Sequence, residues 1–112
     1  MLPPEVTTAV QQIVVAVSAG AYEDALARTS ASRCSASDVS RSVTGYGRRF
    51  SAPPFAEWDT VAIPSNIGVE RWSIRAPLWC DEEGGRSDLE LFLTASLFAG
   101  TASVEFDDIR VA

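Results

Sequence analysis

The chain contains no histidine and no lysine, and only two of its 112 residues are cysteine. Without histidine, the usual Ser-His-Asp and Cys-His arrangements for nucleophilic catalysis are excluded. Cys34 and Cys80 have no CxxC spacing and no histidine with which to share a metal, so the sequence predicts two free, reduced thiols. No GxGxxG or GxxxxGK[ST] run is present either, so nothing indicates a nucleotide cradle. We therefore expect neither a metal nor another cofactor.

Long hydrophobic runs are also missing. No apolar stretch approaches the roughly 20 residues that span a bilayer, and the first residues, MLPPEV, have neither the basic region nor the apolar core of a signal peptide. We therefore expect a cytoplasmic protein that does not act at a membrane. A chain of 112 residues that is 46% hydrophobic can bury about two-thirds of its unfolded surface, which predicts one domain over residues 1–112.

Positive charge is scarce as well. The net charge is −6, the pI is near 4.5, and all nine cations are arginine. Nucleic-acid-binding proteins present clustered Lys or Arg to phosphates, and the Arg48-Arg49 pair is too small to do so, which excludes nucleic acid as the expected partner. An acidic surface instead attracts a basic protein. The lack of lysine beside abundant Ala, Arg, Ser and Val is typical of a GC-rich bacterial genome.

The first half of the chain has helical periodicity. Val6, Val10, Ile13, Val14 and Val17 form one apolar stripe, which predicts a helix over residues 4–18 that begins at Pro3-Pro4. Gly20 favours a break before a short helix at residues 21–27. A capping box formed by Ser35 and Asp38 predicts a third helix near residues 36–46.

The second half alternates as strands do. Residues 57–63 are rich in β-forming residues, residues 69–80 and 89–97 alternate clearly, and residues 101–111 form a fourth run. In that last run the apolar phase shifts by one at Asp107-Asp108, which predicts a bulge. The order predicts an α+β fold in which about three helices (residues 1–50) pack on one face of a curved antiparallel sheet of about four strands (residues 55–112).

The stretch LWCDEEGGRSDLELFL joins two of these strands. We interpret residues 81–87 as a turn in which Gly84-Gly85 supplies positive φ and the charges of Asp81, Glu82, Glu83 and Arg86 are solvated, with Arg86 pairing with one of the loop acids. Asp88, just before the next strand, is expected to accept backbone N–H bonds and fix the turn. Calcium binding of the EF-hand type is excluded because the fifth loop residue is Gly and the twelfth is Phe.

Motifs in the last third of the chain resemble a small uncharacterised bacterial domain family. The resemblance is carried by the LW-x-x-E-E-G and R-S-D-L segments and by the C-terminal D-D-I-x-V strand; its residues are Leu78, Trp79, Glu82, Glu83, Arg86, Ser87, Asp88, Leu89, Asp107, Asp108, Ile109 and Val111. The chain departs from that pattern at Cys80, where threonine is expected, and in having two loop glycines where one is expected. The resemblance implies no activity. The order of elements also resembles the cone-shaped α+β fold of ketosteroid-isomerase-like proteins, which hosts enzymes and binding modules alike.

Two hypotheses about function follow. We favour a non-enzymatic protein-interaction module, an immunity-type protein that binds and neutralises a basic toxin domain. Phe92 then marks a contact surface on the polar face of its strand, beside Glu90. Arg71 and Arg75 share the outward face of the neighbouring strand, where Glu90 is within reach of one of them across the hairpin, although we favour a solvated sheet face without such a pair. The candidate partner-binding residues are Asp81, Glu82, Glu83, Arg86, Glu90, Phe92, Asp107 and Asp108. The alternative is an isomerase-like or small-molecule-binding protein with a pocket between helices and sheet, using Asp107 or Asp108 as base and Tyr22 or Tyr46 as hydrogen-bond donor.

Overall fold

The structure, a computed structural model, describes residues 2–53, 58–65 and 67–111. Helices come first along the chain and the long strands follow, so the class is α+β as predicted. The helices are α1 (Pro4–Ser18), α2 (Tyr22–Ala27) and α3 (Ala36–Tyr46), and the strands are β1 (Ala31–Ser32), β2 (Asp59–Ile63), β3 (Val69–Cys80), β4 (Gly85–Phe98) and β5 (Thr101–Val111). A 3-10 turn over Asp81–Glu83 connects β3 to β4. Glu57, in the predicted first strand, lies outside the described residues.

The first and third helices form where the sequence predicts them. The apolar stripe of α1 is entirely buried, from Val6 to Val17. In α3, the Ser35 hydroxyl accepts the Asp38 N–H at 3.1 Å, and the Asp38 carboxylate accepts the Ser35 N–H at 3.0 Å. This reciprocal pair confirms the capping box and satisfies two N–H groups that helix geometry leaves without partners.

The sheet has one more strand than predicted and is mixed rather than purely antiparallel. Its order is β1-β5-β4-β3-β2, it is not closed, and β1 runs parallel to β5 with Ala31 opposite Glu105. The prediction of about four antiparallel strands is therefore wrong at this edge. Strand β1 has only two residues, both exposed, so it carries no alternating pattern that a sequence could show.

Strands β3, β4 and β5 form the predicted antiparallel meander, with two irregularities. Along the β4–β5 pair, Phe92 is opposite Asp108 whereas Leu93 is opposite Phe106. Asp107 is therefore an extra residue of β5, and the predicted bulge is confirmed. Between β3 and β4 the register shifts near Leu78. The predicted loop of residues 81–87 is too long, because Gly85 already pairs with Cys80 and the connection is residues 81–84.

One side of the sheet, the inner face, packs against the helices. Leu91 and Leu93 on β4 and Phe106 on β5 are at most 1% exposed, and they join the buried valines of α1 and α3 in one apolar cluster. Of the predicted inward residues, Trp72 is only partly buried, whereas the others have at most 2% exposure: Ile74, Leu78, Leu89, Leu91, Leu93, Val104 and Phe106. The space between helices and sheet is thus occupied by core side chains.

Candidate functional site

The other side of the sheet, here called the outer face, carries the polar positions of the long strands. Along β4, buried Leu89, Leu91 and Leu93 alternate with Glu90, Phe92 and Thr94. The pairing of β3 and β5 with β4 shows which of their residues point to the same side. The outer-face residues of these three strands are Arg71, Ser73, Arg75, Glu90, Phe92, Thr94, Ser96, Ser103, Glu105, Asp107, Asp108 and Arg110. Several of the predicted partner-binding residues therefore share one surface.

Phe92 lies at the centre of this face and is held between two arginines. The guanidinium carbon of Arg110 is 4.3 Å from the ring centroid, and that of Arg75 is 5.3 Å from it. Guanidinium groups at these distances are attracted to the aromatic ring by its quadrupole. Phe92 is half-buried rather than fully exposed, so the aromatic side chain predicted to mark a contact surface is fixed in position by its neighbours.

Glu90 is the most unusual residue of the outer face. It is only 4% exposed, although its position is outward. The Arg75 guanidinium donates to Glu90 Oε1 at 2.8 Å, so the cross-strand pair forms where a solvated face was favoured, whereas Arg71 pairs with Glu105 at 3.8 Å. The second oxygen, Oε2, is buried and has no hydrogen-bond partner in the described part of the chain. A buried acceptor without a donor costs about 1 to 3 kcal/mol, or more when charged, so a donor for this oxygen would stabilise it.

The bulge in β5 places two consecutive carboxylates on the outer side. The Thr94 hydroxyl donates to Asp107 at 2.6 Å, and Arg110 pairs with Asp108 at 3.3 Å. In the described ranges, no arginine lies within ion-pair distance of Asp107. Its charge is therefore less compensated than that of Asp108.

The acids of the turn bind neighbouring parts of their own chain. Glu82 accepts the backbone N–H of Arg49 at 3.1 Å and pairs with the Arg48 guanidinium at 3.6 Å. The Trp79 indole N–H donates to Asp81 at 3.2 Å. Glu82 thus ties the segment after α3 to the end of β3, which is a structural role. The side chain of Glu83 lies outside what the structure describes.

Arg86 and Asp88 do not take the roles predicted for them. Arg86 pairs with Asp59 on β2 at 3.4 Å rather than with a loop acid, because the early start of β4 brings it beside the other strands. The backbone N–H of Asp88 donates to the Tyr46 hydroxyl at 3.2 Å, and the Asp88 side chain is exposed. Both side chains therefore lie at the surface.

The contact that fixes this end of β4 comes from Ser87 instead. The register shift sets three residues of β4 against Leu78 alone, which interrupts the β3–β4 ladder there. The buried Ser87 hydroxyl accepts the Leu89 N–H at 3.2 Å and donates to the Leu89 carbonyl at 3.3 Å. A hydroxyl can do both, whereas an ionised carboxylate can only accept.

The predicted site residues thus form two groups. Glu90, Phe92, Asp107 and Asp108 meet on the outer face, whereas Asp81, Glu82 and Arg86 stay at the β3–β4 turn and its flank. Sequence reasoning missed Arg110, which flanks Phe92; its alternation with Asp108 along β5 was the available signal. Thr94, the hydrogen-bond partner of Asp107, was interpreted only as a polar strand position.

The residues named for the isomerase-like alternative are not brought together. Asp107 contacts Thr94 on the outer face, and the Tyr46 hydroxyl accepts the Asp88 N–H. A groove of about 440 Å³ lies between α1 and α2, on the helical side, and is lined by residues such as Gln11, Val15 and Arg28. These positions do not supply the base and donor of that mechanism.

Cys34 lies close to the bulge. Both cysteines are free; Cys80 is buried and Cys34 is half-buried. Partial burial, followed by the nearby carboxylates of Asp108 and Asp38, raises the pKa of the Cys34 thiol. A raised pKa lowers the thiolate fraction, so the thiol is not activated as a nucleophile.

Metal binding and membrane crossing each require a particular arrangement of residues. Among them, no group of three or more His, Cys, Asp or Glu side chains is arranged to hold a metal ion. None of the helices in those same ranges is long and apolar enough to cross a membrane.

Comparison with known proteins assigns the chain to a family. The family model described as "Domain of unknown function (DUF7668)" matches residues 14–112. The chain belongs to this family. The range matched by DUF7668 begins inside α1 and includes the whole outer face. No curated protein and no solved structure matches the chain. The resemblance to the ketosteroid-isomerase-like fold and the loop motifs stay predictions.

Proposed function

We propose that the chain is a protein-interaction module, without enzymatic activity, that binds its partner through the outer face. The observation that carries this proposal is the arrangement of Phe92 between Arg75 and Arg110, beside a buried Glu90 with one unsatisfied oxygen. These groups lie on paired strands, on the side of the sheet opposite the helices.

Such a surface suits protein binding for physical reasons. Aromatic and arginine side chains dominate the energetics of many interfaces. Two further apolar side chains, Phe98 and Val61, are 59% and 66% exposed at outward positions of β4 and β2. They extend the apolar area around the charged centre.

The charge of the chain supports a basic partner. A net charge of −6 on 112 residues accelerates encounter with a positively charged protein, an effect that salt weakens. We propose a basic toxin, which this protein neutralises in the manner of an acidic immunity protein.

Co-expression tests this function. Each gene that flanks this one is expressed alone to find a product that arrests growth, and then together with the wild-type chain. We expect one flanking product to be basic and toxic, and the wild-type chain to restore growth. Phe92→Glu should abolish the rescue, because it removes the aromatic ring at the centre of the surface and pairs Arg75 and Arg110 with a carboxylate instead. Val15→Glu adds the same charge to an exposed position of α1 and should rescue as well as the wild type.

Two results would count against the proposal. Rescue by Phe92→Glu at the wild-type level, with both variants equally folded by circular dichroism, would remove the outer face from the interaction. The absence of any growth-arresting product among the flanking genes would remove the immunity role.

A further inference from the structure

We propose that the outer face binds an extended basic segment, in which one arginine donates to Glu90 Oε2 and a second arginine, four residues along, pairs with Asp107. This inference rests on the proposed function and names the chemistry of the partner.

The first step concerns Glu90. The residue is 4% exposed, and among the described residues Arg75 contacts one of its two carboxylate oxygens. Arg110 is opposite Glu90 in the register, yet its guanidinium contacts Phe92 and Asp108 instead. The Arg110 side chain is 63% exposed, so it can move aside and open a path to Oε2. A guanidinium from a partner would then supply the donor that the free protein lacks.

The second step concerns Asp107. In the described ranges, the Asp107 carboxylate accepts one hydrogen bond, from the Thr94 hydroxyl. Asp107 is also the bulge residue, which has no opposite residue in the β4–β5 pairing. Among the described residues assigned to the outer face above, four on β4 and β5 are carboxylates: Glu90, Glu105, Asp107 and Asp108. Three arginines each pair with one of them, so Asp107 is the carboxylate left for a further cation.

The distance between the two acceptors matches the side-chain spacing of an extended peptide. Glu90 and Thr94, the contact of Asp107, are four residues apart on β4, which is about 13 Å at a rise of roughly 3.4 Å per residue. An extended partner segment has side chains at positions i, i+2 and i+4 on one side, with the same spacing. Its outer two side chains can therefore reach Glu90 and Asp107 while the middle one contacts Phe92.

A defined peptide tests the proposal without a known partner. The probe is acetyl-Ser-Arg-Ser-Val-Ser-Arg-Ser-amide, titrated into the ¹⁵N-labelled protein at low ionic strength and followed by amide NMR shifts. The matched probe has citrulline, which is isosteric and uncharged, in place of both arginines. We expect the arginine peptide to shift amides of β4 and β5 around Phe92 and the bulge, and the citrulline peptide to shift them much less.

Variants identify the acceptors. Glu90→Gln and Asp107→Asn should each weaken the peptide by about fivefold, the loss of one ionic hydrogen bond. Glu23→Gln makes the same charge change on α2 and should leave the affinity unchanged. Arg110→Ala should strengthen binding, because it removes a competing cation; this variant keeps the test decisive if Glu90→Gln unfolds.

The outcomes separate the two proposals. Equal shifts with both peptides, or arginine-dependent shifts centred on Glu82, would overturn the inference. If the peptide binds at β4 and β5 but Glu90→Gln and Asp107→Asn retain full affinity, the named acceptors are wrong, although growth rescue can still depend on Phe92. Peptide binding as expected, together with failed rescue, would overturn the immunity role and leave the basic-segment site in place.

Discussion

Replacing Gly85 by alanine tests whether the stability of the fold depends on the packing of Trp79 against Gly85 at the β3–β4 turn. Gly85 has a φ of +126°, and a Cβ built on it lies 2.7 Å from Cζ2 and Cη2 of Trp79. Its neighbour Gly84 also has a positive φ, +79°, but a Cβ there meets nothing within 4 Å. Gly84→Ala is therefore a matched control that carries the backbone strain without the contact.

The expected magnitudes follow from these two environments. Alanine at a left-handed position costs roughly 1 to 2 kcal/mol, so Gly84→Ala should destabilise the fold by about 1 kcal/mol. Gly85→Ala carries a comparable or larger strain, of order 1 to 3 kcal/mol. It must also displace the Trp79 ring, whose N–H donates to Asp81 at 3.2 Å, a bond worth about 1 kcal/mol. We expect a total near 3 kcal/mol.

The assay is urea unfolding of both variants, followed by tryptophan fluorescence and far-ultraviolet circular dichroism. Gly85→Ala should also change the fluorescence of the folded state, because Trp79 has to move. If the two variants differed by less than about 0.5 kcal/mol, the packing of Trp79 on Gly85 would contribute nothing, and the reasoning would be refuted.

Three other predictions concern the core, a thiol and a helix cap. Leu91→Ala should lower the free energy of unfolding by about 2 to 5 kcal/mol, because Leu91 is fully buried; a denaturation midpoint near that of the wild type would contradict its place in the core. Alkylation of Cys34 by iodoacetamide should follow its raised pKa, and Asp108→Asn should move the rate profile to lower pH by removing a nearby negative charge; mass spectrometry measures the rate, and an unmoved profile would argue against that contact. The backbone N–H and then the hydroxyl of Ser35 lower the pKa of Asp38, so this contribution to stability is present above the ordinary carboxyl pKa and is lost as pH falls through the lowered value. Asp38→Asn removes the titrating carboxyl and should flatten that acid dependence in thermal melts between pH 2 and pH 5, and an identical dependence would exclude Asp38 as its source.

Local signals in the sequence were enough for most of the fold. The valine stripe of α1, the Ser35 capping box and the phase shift at Asp107 each depend on neighbouring residues, and each was predicted with its position. Strand β1 was missed because it is held by hydrogen bonds to β5 from Ser30 and Arg33, far away in sequence. The two exposed residues of β1, Ala31 and Ser32, show no pattern that would reveal such a pairing.

The candidate site was predicted only in part, for a similar reason. Alternation along β4 placed Glu90 and Phe92 outward, and the meander brought Arg71 and Arg75 within reach of Glu90 without deciding whether a pair forms. The burial of Glu90 and the position of Arg110 on Phe92 depend on the register of three strands at once. A single bulge moves that register by one residue, so periodicity alone could not give it.

The bulge at Asp107 also determines where this chain tolerates a change of length. From Asp108 to the end of β5, the numbers of paired residues in β4 and β5 add to 200, as in Phe92 with Asp108. Before the bulge, from Thr101 to Phe106, they add to 199, as in Leu93 with Phe106. Deleting Asp107 would make the two sums equal and keep every other partner in place. A relative one residue shorter at this point would retain the core and lose one acidic side chain from the outer face. A gap there in an alignment would therefore mark a change in the charge of the outer face rather than in the fold.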